Sequence, residues 1–269
     1  MLKIFKLPDL RKKIIFTLFI IAVFRLLAHI PVPGVDTSSI KAYLEQSVIF
    51  GFFDLFSGGG FQNFSIVTLG LGPYINASII IQLLTMLIPS LEEMAKEGEY
   101  GQEKINMYTK ILAIPMALVQ AYGIYFLLSK QGIINSLGGF DVVLLMLTFT
   151  AGSMLLVWLG DLLTEKGIGN GISALIFVSI ISRLPSSALT AVTGIMSSNY
   201  IQTLVVLVLI LLTIVAVVLV NEGTRNVLLE YGRSSERSRK VTNYLPIKIN
   251  QAGVIPIIFA VSIVSIPGM

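Results

Sequence analysis

From Ile201 to Val220 the chain carries no charged residue, and only Gln202, Thr203 and Thr213 interrupt its apolar side chains. A helix needs roughly 20 such residues to cross the hydrocarbon core of a bilayer. This run therefore reads as a membrane span, and it limits what the rest of the chain can be. Other apolar runs join it: Ile14–Ile30, Tyr74–Ile88, Ile111–Leu128, Val142–Gly160, a short one from Ile172 to about Ile181, and the beginning of another at Ala252–Met269. Counting the last as incomplete, the sequence predicts seven spans. Hydrophobic residues make up 55% of the chain and charged residues 13%, with a mean hydropathy of +0.86. Soluble domains carry about 25% charged residues. The expected class is an all-α, polytopic helical membrane protein.

The stretch from Phe50 to Pro89 does not read as one ordinary span. A short apolar piece, Phe50–Phe56, carries Asp54 and stops at Ser57-Gly58-Gly59-Gly60. A weakly apolar piece then runs to Gly70-Leu71-Gly72-Pro73, and only after it does a continuous run begin. Broken backbone at membrane depth is tolerated where protein buries it or where it lines a water-filled cavity. A short helix, a glycine hinge and a helix opening at Pro73 fit the interior of a channel or transporter. An extracytoplasmic loop followed by one short span is the alternative.

Loop charges give an orientation. With the N-terminus inside, the cytoplasmic face receives 15 lysines and arginines, and the outer face receives Lys41, Lys130 and Arg183. That asymmetry follows the positive-inside rule. The basic N-terminus shows no small-residue cleavage site, so the first helix is expected to be retained. The polar stretch after Pro89, SLEEMAKEGEYGQEKINMYTK, reads as a solvated cytoplasmic loop, and Asn221–Asn250 as a second, basic one. Arg25 reads as a cation that snorkels to the interface. The chain stops at Gly268-Met269 within an apolar run, which reads as a truncation.

Several chemistries are excluded. There is no cysteine, and His29 is the only histidine, so thiolate sites and sites needing two imidazoles are ruled out. No cofactor and no enzymatic activity are expected. No span holds a pair of carboxylates, which argues against a proton relay. Gly167-x-Gly169-x-Gly171 joins two membrane helices instead of following a strand, so it reads as a tight cytoplasmic turn rather than a phosphate cradle. Asn76, Ser78, Gln82 and Gln120 fit interhelical hydrogen bonding.

Several short segments carry a resemblance. PVPGVD (Pro31–Asp36), FSGG (Phe56–Gly59), LGPYINASIIIQLL (from Leu71), KEGE (Lys96–Glu99), WLG (Trp158–Gly160), TEKGIGNGIS (Thr164–Ser173) and LPIKINQAGVIPIIFA (Leu245–Ala260) resemble, in order and spacing, the SecY family. That family forms the central subunit of the bacterial protein-conducting channel, ten helices in two inverted halves. The resemblance implies a first half at residues 1–182 with a plug at about 50–64. It also implies the start of the second half at 183–269, with a truncated seventh helix.

The same resemblance implies roles for individual residues. An aliphatic pore ring would comprise Leu71, Ile75, Ile172, Ile176 and Ile258, with Leu71 in place of a more usual isoleucine. Plug residues would be Phe53, Leu55, Phe56, Gly58, Gly59, Gly60 and Phe64, the glycines letting the plug hinge away. A lateral gate would use Asn76, Gln120 and Asn250. Arg225, Arg233, Arg237, Arg239 and Lys240 would dock the ribosome or the SecA ATPase motor. SecE and SecG membrane subunits, ribosomal RNA and exit-site proteins, signal peptides, nascent chains and membrane lipids would be the other partners. The implied location is the bacterial inner (plasma) membrane, multi-pass, with the N-terminus cytoplasmic. A solute transporter with a broken helix, or a membrane scaffold with a docking loop, are the competing classes. Charge-free spans speak against the first, and the glycine-broken stretch is unexplained by the second.

Overall fold

The computed structural model describes residues 8–32, 40, 54, 57–134, 138–182, 200–229 and 243–250. The chain divides into two compact units, Met1–Ser187 with Gly268–Met269, and Ala188–Pro267.

In the first unit, α1 (Pro8–Leu27) leads through an irregular segment into α2 (Gly72–Leu87). Pro73 occupies the first turn of α2, where its missing N–H removes no helical bond. At Ile88 the backbone is extended (ψ 112°), as the residue before a proline prefers, and α3 (Pro89–Lys96) leaves at 103° to α2. Gly98 separates α3 from α4 (Glu99–Lys130). The stretch after Pro89, expected to be a loop, is therefore mostly helical. Its residues are good helix formers, and Lys96 pairs with Glu92 at 2.6 Å across one turn. The 32 residues of α4 extend roughly 48 Å, more than a core of about 30 Å needs, so polar residues at its start lie beyond the apolar run.

The next helix, α5 (Gly139–Lys166), pairs with α4, and Lys110 meets Asp161 across them at 2.7 Å. A glycine turn connects α5 to α6 (Gly171–Ser182). Only Gly169 in that turn takes a positive φ, 73°. Gly171 is needed for closeness instead, because a Cβ there would run into the carbonyl oxygen of Gly160. Asn170 caps α6, its Oδ1 accepting from Ser173 N at 3.0 Å.

Two apolar clusters hold this unit together. One gathers Phe61, Phe64, Ala117, Ala121, Leu145 and Phe149. Ala113, Ala117 and Ala121 are fully buried along α4, and small residues of this kind let membrane helices approach closely. The other cluster gathers Ile20, Phe24, Val67, Leu71, Leu156 and Leu163 with their neighbours.

In the second unit, α7 (Tyr200–Glu222) is followed by an antiparallel ribbon of β1 (Thr224–Leu229) and β2 (Asn243–Lys248). Thr224 stands opposite Lys248 and Leu229 opposite Asn243. The basic, polar composition of Asn221–Asn250, expected to be a loop, gives no sign of these strands. Pro246 lacks a donor, which a strand in a two-stranded ribbon tolerates because one edge is open. At the base, Ile249 N donates to the Gly223 carbonyl at 2.9 Å, and Asn250 Nδ2 donates to Asn221 Oδ1 at 2.9 Å.

Among the described residues, α4, α5 and Leu204–Glu222 are long and apolar enough to cross a membrane; α2 with α3 makes a fourth if the bent pair is one span. Seven spans were expected. Asp9, Arg11, Lys12 and Lys13 crowd the start of α1, with Arg25 near its end. Helix α6 is too short to cross alone, and Ala252–Met269 lies outside the described residues.

Candidate functional site: a buried glycine turn over an aliphatic cluster

The segment between α1 and α2 is irregular because its backbone bonds are closed by its own side chains. Ser57 Oγ donates to the Asp54 carbonyl at 3.2 Å and accepts from Phe61 N at 3.0 Å. Asp54 Oδ1 accepts from Gln62 N at 2.9 Å, and Thr68 Oγ1 donates to the Gly60 carbonyl at 3.2 Å. These bonds satisfy polar groups that burial would otherwise leave unpaired, so the turn can sit inside protein. Asp54, Ser57 and Thr68 are all buried.

The turn is also tied to the end of α1. Val32 N donates to the Phe64 carbonyl at 2.9 Å, and Ile66 N donates to the Ile30 carbonyl at 3.2 Å, around an antiparallel bridge between Pro31 and Ser65. Asn63 Nδ2 donates to the Ala28 carbonyl at 3.2 Å. Arg25 Nη1 donates to the Gly58 carbonyl at 2.8 Å. The snorkelling read for Arg25 gives way to this bond: its side chain is part-buried and turned to backbone. The sequence signal was an arginine alone among apolar residues, with a glycine run downstream whose carbonyls no side chain shields.

Gly58, Gly59 and Gly60 were expected to be a loose hinge. In the structure all three are buried. Gly58 adopts φ 65°, and a Cβ there would come within 3.0 Å of Phe24 Cζ and 3.2 Å of Ser179 Oγ. Glycine thus lets the turn pack between α1 and α6. Ser179, which the sequence analysis did not single out, is covered at this contact with 1% exposure.

Leu71 and Ile75 lie one turn apart at the start of α2, Ile75 N donating to the Leu71 carbonyl at 3.0 Å. Leu71 is a member of the second apolar cluster, and Ile75, Ile172 and Ile176 pack against it half-buried. The structure brings these four together in one cluster with Phe24 and Val67. Aliphatic side chains offer no hydrogen bonds, so nothing they touch is read by polar contact. Phe64 belongs to the other cluster, beside Phe149.

Gln120 is buried on α4 and faces the start of α2; a Cβ on Gly72 would lie 3.8 Å from its Oε1. Asn76 is half-buried on α2. Asn250 instead bonds Asn221 within the second unit. Arg225 is exposed on β1 opposite Ile247. Phe53, Leu55, Phe56, Arg233, Arg237, Arg239, Lys240 and Ile258 lie outside the described residues.

Residues 65–269 match the SecY family model. The protein translocase subunit SecY of Corynebacterium glutamicum is 41% identical over 279 residues, covering 98% of this chain and 63% of the relative. That of Aquifex aeolicus is 41% identical over 280 residues, covering 98% of this chain and 65% of the relative. The chain therefore spans just under two thirds of the length of these relatives. Among solved structures, a protein-conducting channel aligns with a TM-score of 0.65 at 21% identity, covering 95% of this chain and 56% of the other. Sec61 in the canine ribosome-channel complex from the endoplasmic reticulum aligns with a TM-score of 0.61 at 21% identity, covering 95% and 57%. The fold is that of these channels, and by sequence the chain belongs to the SecY family.

Proposed function

We propose that the protein is the central subunit of a protein-conducting channel of the bacterial inner membrane, with a cytoplasmic N-terminus. It passes unfolded secretory polypeptides and releases hydrophobic segments sideways into lipid. The observation that carries this reading is the buried glycine turn packed against Phe24, in the cluster that also holds Leu71, Ile75, Ile172 and Ile176.

In this reading those four residues, with Ile258, form the constriction. An apolar constriction gates by dewetting, so it resists ions yet yields to a chain without gripping it. The glycine turn is the inner part of a stopper that includes Phe53, Leu55 and Phe56. Asn76 and Gln120 serve the seam where α2 parts from its neighbours, and Asn250 is the third polar residue assigned to that gate. An apolar segment of about 20 residues leaves through that seam because lipid solvates it better than water does. Driving a polar chain requires an outside source of work, supplied by a docked ribosome or the SecA motor. Arg225 on β1, together with Arg233, Arg237, Arg239 and Lys240, offers phosphates or acidic patches a salt-sensitive surface. SecE and SecG complete the membrane assembly.

Reconstitution tests the reading. The full-length protein in vesicles should translocate an unfolded secretory precursor only when the motor and membrane partners are present. Movement of a small solute by the protein alone, with no precursor transport, would overturn it.

A further inference from the structure

We propose that Arg25 is a latch that holds the glycine turn in its seated position, so that opening requires its bond to Gly58 to break. The inference rests on the reading of that turn as a movable stopper. Arg25 is the only formal charge between Ile14 and Ile30. A cation that served the interface alone would turn its head to water. This one is part-buried and donates at 2.8 Å to a carbonyl 33 residues away in sequence. A charged donor makes this bond stronger than a neutral one such as that from Asn63 to the Ala28 carbonyl.

The geometry places the latch where it controls exposure. Gly58 sits between Phe24, the neighbour of Arg25 on α1, and Ser179 on α6. Ser179 Oγ donates to the Leu175 carbonyl of its own helix at 2.9 Å. The tie on that side is packing, whereas the tie to α1 is polar and charged. When the turn moves away, Arg25 loses its acceptor and Ser179 loses its cover. The equilibrium between seated and displaced turn is therefore set in part by this one bond.

These 269 residues hold no cysteine; in a full-length background with any cysteine beyond them replaced, Ser179→Cys introduces a single thiol beneath the turn. Its rate of modification by a membrane-impermeant methanethiosulfonate, in the full-length protein assembled with its membrane partners, reports how often the turn is displaced. Arg25→Met keeps the length of the side chain and removes every donor. It should raise that rate about ten- to a hundredfold, the range expected for losing a bond to a charged group. Arg25→Lys keeps the charge with a more mobile donor and should give an intermediate rate. Arg25→Leu, which also lacks a donor, serves in place of the methionine variant should that one not assemble.

An unchanged rate in the variant lacking the bond overturns the latch. Recovery toward the parent rate with lysine, which keeps a charged donor, supports the latch. The parent carrying a precursor arrested in transit separates the two levels. If the arrested chain exposes the thiol and Arg25→Met does not, the latch falls and the stopper stands. If the arrested chain leaves the thiol covered, the stopper itself falls and the latch with it.

Discussion

Phe64 and Phe149 meet edge to face, with ring centroids 5.1 Å apart and planes at 71°. This contact joins the irregular segment to α5, and both rings are fully buried. Phe64 holds a positive φ of 45°, an unfavourable region for a bulky residue, so tertiary packing must hold its backbone there.

Phe149→Ala should therefore loosen the irregular segment as well as open a cavity. Large-to-small changes at buried aromatics cost about 3–5 kcal/mol. Thermal unfolding of the purified protein in detergent should show a marked fall in midpoint. Proteolysis should also reach residues 57–70 faster than in the parent. A midpoint within a degree of the parent would show that the ring pair contributes little.

Gly152 is a second place where α5 meets the irregular segment. A Cβ built there runs into the carbonyl oxygen of Ile66, a backbone atom that cannot swing aside. Gly152→Ala should cost at least about 3 kcal/mol, the upper end of the usual range for overpacking. Gly139, at the start of the same helix, has nothing within 4 Å of the corresponding position, and Gly139→Ala should leave stability nearly unchanged. The two midpoints measured side by side check the contact, and equal values would refute it.

How much of this was legible in sequence depends on the length scale of the signal. The long apolar runs gave α4, α5 and α7 directly, because a charge-free stretch of that length has few other fates. The start of α2 was legible from Pro73. The helicity of Pro89–Lys110 was not, since its charges look like a loop until the pairing of Glu92 with Lys96 and the extended backbone at Ile88 are considered. The ribbon was hidden by the same reasoning applied to Asn221–Asn250. At the site, the pairs Leu71/Ile75 and Ile172/Ile176 could be named from motifs, and their meeting in one cluster required the fold. Arg25 was misread because a snorkelling cation and one bonded to backbone have the same sequence; only the position of Gly58 separates them.

The central claim is that the cluster around Leu71, Ile75, Ile172 and Ile176 seals a pore. The most direct test is the resting ion conductance of the full-length channel, assembled with its membrane partners in a planar bilayer. Replacing Ile75 or Ile172 with glycine or aspartate removes apolar bulk or wets the constriction. The account predicts a clear rise in resting leak for each, with the aspartate variants leaking most. Conductance indistinguishable from the parent in all of them would contradict it, and would leave the four side chains as helix-packing residues.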